Sequence, residues 1–174
     1  MIKGYDYKYY KDAERRHEHY KSLSPIRSIE NGVDSFELIL NIRPALVEAE
    51  EYLIVKGIDT EWSGEHLLVS FNRKWKGWDS IVTHQFIPKC GWKNFKDTLN
   101  NSGLFTLPSQ RQIKNFEDGL TDGTNYTLEI ATRNTYRRIS YHCPGHFHDS
   151  INESFWHSLL FIDRNVQLIF IERH

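Results

Sequence analysis

The sequence predicts an α+β fold: a twisted antiparallel sheet of five to seven strands with two helices packed on one face. Three observations carry that prediction. Residues 124–143 alternate apolar and polar side chains in two runs that match one another across a short loop. Three earlier runs, 35–40, 66–71 and 80–87, have the β-branched and aromatic content of strands. At Trp92, and again at Ile151, the apolar period lengthens from two to between three and four, the spacing of one helix face.

Taken in order, residues 1–22 are polar and tyrosine-rich, with KDAERRHEHYK at their centre. They read as a solvated helix or a frayed, mobile terminus rather than a binding arm, leaving 23–174 as a single domain. Ser35 to Leu40 reads as a strand, broken by Arg43-Pro44 because proline constrains its predecessor. The run Ala45–Val55 is two-sided: its Ala and Glu content favours helix, whereas Tyr52–Val55, ended by Gly57, looks extended. A strand over the second half is expected. Strands at 66–71 and 80–87 follow, the latter bounded by Gly77 and Pro88, with Arg73 to Trp78 as the connecting loop. Trp92, Phe95 and Leu99 then define a short helix over about 92–101, ended by Asn101 and Gly103. Leu104 to Leu107 comes next, closed by Pro108.

The hairpin is the most sharply specified element. Asp122-Gly123, with Asp118-Gly119 before it, supplies turn chemistry at its entrance. If Arg133-Asn134 is a two-residue loop, Thr132 faces Thr135, Leu128 faces Ile139, Tyr126 faces Tyr141 and Glu129 faces Arg138. Apolar residues then pair on one side and opposite charges on the other, each pair worth roughly 0.2–1 kcal/mol. A slip of one residue destroys both rows. Beyond it, Ser150-Ile-Asn-Glu153 has the capping-box pattern, and Ile151, Phe155, Leu159 and Ile162 form the stripe of a helix over about 151–163. The segment 166–171 fits either a continuation of that helix or a last strand.

Several of these pieces form a recognisable pattern. Pro25 with Arg27 is an early step, and Trp92 with Phe95 opens a helix. Leu104, Phe105, Leu107 and Pro108 follow, then Asp122, Gly123, Tyr126 and Glu129, with Tyr136 on the return strand and a closing Pro144. In this pattern the chain resembles a group of small uncharacterised bacterial proteins, most closely over 92–144. It departs from them at Tyr126, where members of the group often carry Trp. The resemblance implies the same α+β fold and carries no activity with it.

At 174 residues one domain is expected, able to bury roughly two-thirds of its unfolded surface. A formal net charge of −1 argues against a nucleic-acid protein, whose affinity would come mostly from basic side chains on phosphates. No apolar run approaches the roughly 20 residues of a membrane span. The residues after Met1 carry no signal peptide, so the expectation is a soluble, cytoplasmic chain, or an exported one if a leader has been removed. Cys90 and Cys143 each end a strand and read as two free, mostly buried thiols.

Three sets of side chains could carry chemistry. His142-Cys-Pro-Gly-His-Phe-His-Asp149 holds ligand types suited to zinc, with His142, His146 and His148 as the metal candidates. The other natural ligand pair, His17 and His19, lies in the N-terminal segment. The spacing matches neither two separated ligand pairs nor an i, i+4 helical pair, so a polar loop is the simpler reading. Asp118, Asp122 and Glu129 could act as paired carboxylates, although turn chemistry and the Arg138 pairing already account for them. Arg73, Lys74, Trp75, Lys76 and Trp78 could form a protein-binding hot spot, or fold back onto the sheet. No P-loop, Rossmann fingerprint, G-x-S-x-G or H-E-x-x-H is present, and no cofactor is implied. The leading expectation is therefore a non-enzymatic binding domain with a protein partner, through Arg73, Trp75, Lys76 and Trp78. The alternative is a metal-dependent hydrolase built on His142–Asp149.

Overall fold

The computed structural model describes residues 26–58, 60–71, 78–117 and 119–172. The N-terminal segment 1–22, Pro25, Arg73 to Lys76 and Asp118 lie outside them. Six strands form one open antiparallel sheet: β1 (Phe36–Pro44), β2 (Ala49–Ile58), β3 (Glu61–Phe71), β4 (Trp78–Phe86), β5 (Thr124–Thr132) and β6 (Tyr136–His142). Their spatial order is β4-β3-β2-β1-β5-β6. The first four make a meander of successive neighbours, and the β5–β6 hairpin joins it along β1, with Leu40 opposite Leu128 and Ile42 opposite Tyr126. Among the described residues two α-helices accompany the sheet, α1 (Gly91–Asn101) and α2 (Ser150–Val166).

The hairpin register is the one that alternation predicts. Tyr126 pairs with Tyr141, Leu128 with Ile139 and Glu129 with Arg138. The Thr132 amide donates to the Thr135 carbonyl at 2.8 Å, closing the two-residue loop. Period two then sorts each strand onto two faces. On one, Leu38, Leu40, Leu53, Val55, Tyr126, Leu128, Ile139 and Tyr141 meet Phe95 and Leu99 of α1 and Phe155, Leu159 and Ile162 of α2. Both helices thus cover the same face. On the other face, Ile39, Tyr52, Ile54, Leu67, Val69 and Ala131 bury against Ile29, with Ile26 and Val33 beside them. Cys90 and Cys143 are free thiols.

Four local expectations are corrected. β1 runs on to Pro44 rather than breaking at Arg43-Pro44, while β2, expected over the second half of 45–55, starts at Ala49 and so contains Glu50 and Glu51. The α2 N-cap is Asp149, not Ser150. One carboxylate oxygen of Asp149 accepts from the Ile151 and Asn152 amides at 3.1 and 3.0 Å, and the other from Asn152 Nδ2 at 2.5 Å. The segment after α2 is neither helix nor strand. Gln167 takes a left-handed conformation (φ 66°) and ends the helix. Residues 167–172 then run as an irregular strap that buries Leu168 and Ile171 in the main core.

The cap gives a pH-dependent prediction. Burial alone would raise the Asp149 carboxyl pKa, but hydrogen bonds from the Asn152 side chain and from the Asn152 and Ile151 amides outweigh it and hold the value below normal. Asp149→Ala is expected to lower stability by about 1 kcal/mol near neutral pH. A depressed folded-state pKa contributes stability above the unfolded value of about 4 and loses it as pH falls through the folded one. Urea unfolding of both proteins should therefore show a difference that shrinks below about pH 4; a gap constant into acid would contradict the cap.

The two outer edges of the sheet differ. Along β6, the chain covers its own edge. The Ser140 amide donates to Ser109 Oγ at 3.2 Å. The side chain of Gln110 takes the His142 amide at 2.8 Å and returns a hydrogen bond to the His142 carbonyl at 3.0 Å, much as a neighbouring strand would. Arg137 reaches the carbonyls of Phe105, Thr106 and Leu107. Along β4, by contrast, no other strand among the described residues pairs with the outer edge.

Candidate functional site

The His142–Asp149 segment leads out of β6 through a left-handed Cys143 (φ 45°) into a 3-10 turn, Pro144–His146, and then into α2. Its side chains are tied to the C-terminal strap. Cys143 Sγ lies 3.7 Å from both Glu172 Oε1 and the Asp122 carbonyl, and His146 Nε2 is 3.8 Å from Glu172 Oε2. Glu172 Oε1 also accepts the Thr124 amide at 2.9 Å, and the Glu172 amide donates to the Tyr126 hydroxyl at 3.3 Å. Burial pushes the Tyr126 phenol well above its usual range; the Glu172 hydrogen bond opposes this and the Glu172 charge adds to it.

The turn glycine makes this closeness possible. Gly123 has φ 135°, and a Cβ there would sit 2.0 Å from Cys143 Sγ and 3.5 Å from both Glu172 Oε1 and His142 Nε2. His142, Cys143 and Glu172 are thus gathered around Gly123, with His146 beside Glu172. His148 is exposed, and both oxygens of Asp149 are engaged in capping. Among the described residues, no three His, Cys, Asp or Glu side chains are placed to hold a metal ion. The chemical work of the cluster is to fasten the strap, and its key member, Glu172, is more than twenty residues from the loop in sequence.

Of the turn carboxylates, Asp118 lies outside the described residues, and Asp122 and Glu129 are not brought together. Glu129 lies five residues into β5, roughly 16 Å from the strand start that Asp122 precedes. It accepts from the Tyr136 hydroxyl at 3.0 Å while facing Arg138 in register. Among the described residues, the buried carboxylates are Glu37, Glu50 and Glu51. Glu37 pairs with Arg27 at 2.5 Å. Glu50 receives hydrogen bonds from Asn41 and Tyr52, with Arg43 Nε at 3.5 Å. Glu51 is fully buried. Its Oε1 meets His66 Nε2 at 2.5 Å and accepts the Ile169 amide at 2.8 Å, while Oε2 accepts the Phe170 amide at 2.8 Å. A carboxylate–imidazole pair can serve as a proton acceptor, but both oxygens of this one hold backbone, which makes it a clip. Adjacent glutamates on a strand must point to opposite faces. Had 49–51 been recognised as strand, that alternation would have placed one in each core.

The open surface feature is aromatic. Trp62, Phe86 and Trp92 line a cleft of about 500 Å³ together with Ser63, Gly64, Gln85 and Ile87. Pairing places Trp62 opposite Gly57 and Phe86 opposite Gly64. A Cβ on Gly57 would come within 2.8 Å of the Trp62 ring, and one on Gly64 within 2.4 Å of the Phe86 ring, so each ring lies flat over a glycine. Trp92, from the first turn of α1, stands 5.6 Å from Phe86 and 6.3 Å from Trp62, centroid to centroid. Its edge rests on the buried Phe95 at 6.1 Å. Lys96 Nζ lies 5.4 Å from the Trp62 ring centre, close enough for a cation–π attraction. Ile87 is 75% exposed at the rim.

Of the residues expected to form a binding surface, Trp78 is described, half exposed and opposite Phe71 at the far end of β4. Eight residues of strand put it roughly 26 Å from Phe86, and it does not line the cleft. Arg73, Trp75 and Lys76 lie outside the described residues. Among the described residues, no helix is long and apolar enough to cross a membrane. Fold and site together define an α+β domain with an open sheet and a surface aromatic cleft. Comparison with known proteins finds no matching family model, no matching curated protein and no matching solved structure.

Proposed function

We propose that the chain is a non-enzymatic binding domain whose partner is a protein. It takes an aromatic or aliphatic side chain of that partner into the cleft of Trp62, Phe86 and Trp92. The observation that supports this reading is the placement of three partly exposed rings on a rigid sheet and helix. Rings fixed in this way give up little conformational freedom when covered, and tryptophans of this kind dominate binding hot spots. Ser63, Gly64, Gln85 and Ile87 complete the lining, and Lys96 lies against Trp62. The near-neutral net charge favours a protein over a polyanion.

Random peptides displayed on phage provide the test. Selection on the native chain is expected to enrich sequences sharing an aromatic or aliphatic anchor. Those peptides should lose binding to Ile87→Asp, a change at an exposed rim position that leaves the core untouched. If no consensus emerges, or if the selected peptides bind Ile87→Asp equally well, the cleft is not the binding site.

A further inference from the structure

We infer that the outer edge of β4 is a self-pairing surface, along which two copies of this chain join antiparallel about a two-fold axis through Val82. The result is one continuous sheet of twice the width. The inference rests on the edge of β4 and adjoins the aromatic cleft, since Phe86 belongs to both.

Among the described residues, no strand pairs with the outer edge of β4. Within Trp78–Phe86, seven of the nine residues are exposed, including Val82 at 45%. Natural sheets blunt such edges with lysines, prolines, inward charges, bulges or a covering loop. From Ser80 to Phe86 the sequence SIVTHQF carries no proline and no lysine, arginine or carboxylate. Its one irregularity is at the start, where the register shifts so that Asp79 is the extra residue between Trp78 and Ser80. The contrast with β6 is direct: that edge is closed by Ser109, Gln110 and Arg137, whereas among the described residues no strand pairs with this one.

The sequence of the strand says what pairs with it. In a two-fold antiparallel pair centred on Val82, Val82 meets its own copy and Ile81 meets Thr83, β-branched against β-branched. Ser80 meets His84, and Asp79, the strand's single carboxylate, meets Gln85, so no like charges are opposed. Centring on Thr83 instead would set Ile81 against Gln85 and Val82 against His84, mixing apolar with polar in both. The Val82 register is thus the self-complementary one, as an isologous contact requires.

Sedimentation velocity on the full chain tests this. The native protein is expected to pass from monomer to dimer as concentration rises through the micromolar range. Val82→Lys and Val82→Glu, at a half-exposed site, should each sediment as folded monomers, because like charges would meet at the axis. An equimolar mixture of the two should regain the dimer, since opposite charges then face one another. A native chain that stays monomeric, a dimer that persists in Val82→Lys, or a mixture that fails to re-associate would each overturn the proposed pairing.

Discussion

Replacing Glu51 by alanine is expected to destabilise the protein by about 3–5 kcal/mol, the range for removing one partner of a buried ion pair or charge-assisted network. The side chain is fully buried, and its two oxygens serve an imidazole and two main-chain amides. Alanine removes the acceptor for the Ile169 and Phe170 amides at once. Neither has a helix or strand to fall back on, because 167–172 is irregular. Glu51→Gln keeps the shape and one acceptor but turns an amide donor toward another donor, so an intermediate loss is expected. Hydrogen exchange identifies the mechanism. The amides of Ile169 and Phe170 should lose protection well beyond the average for the sheet. If they stay protected while global stability falls, the carboxylate is not what holds the strap.

The second large effect is at Phe155. Its ring is completely buried on α2 and stacks on Tyr141 with centroids 3.8 Å apart and planes 9° from parallel. It also meets the Tyr126 ring edge-on at 6.5 Å. Phe155→Ala is expected to cost about 3–5 kcal/mol, the lost transfer energy plus that of the cavity left behind. The loss should propagate further. The Tyr141 hydroxyl donates to the Pro108 carbonyl at 2.5 Å, and burial raises its phenol pKa to about 12. A Tyr141 ring free to tilt into the cavity weakens that hydrogen bond and lowers the phenol toward its ordinary value. Alkaline absorbance titration should show one tyrosine ionising earlier in the variant, and equilibrium unfolding should give the stability loss. A variant losing less than about 1 kcal/mol would mean that the site collapses without a cavity.

The hairpin and both helices were legible because their information is local. Two alternating runs, a short loop and opposed charges fix the register of 124–142 without reference to the rest of the chain. What was not legible depends on distant partners. Ala49-Glu50-Glu51 looks helical by propensity, and becomes strand because Asn41, Arg43, His66 and the strap supply partners for two buried carboxylates. At the start of α2, Asp149 and Ser150 both have capping chemistry. The carboxylate prevails because it satisfies two amides and the Asn152 side chain together. The aromatic cleft was hidden for a different reason. Trp92 was visible as a helix-face residue, but nothing local joins it to Trp62 and Phe86. Their meeting requires the β3–β4 register and two glycines beneath the rings. The histidine-rich loop drew attention by composition, whereas its partner Glu172 lies far along the chain.

The self-covered margin at β6 limits what the molecule can build. A polymer grown by adding strands needs a vacant border at each end of every subunit, one to receive and one to offer. Here Gln110 mimics a neighbour on one side, which among the described residues leaves the β4 border for addition. Growth that uses that border joins two subunits and leaves the covered β6 sides outermost, where runaway stacking into fibrils lacks a docking point.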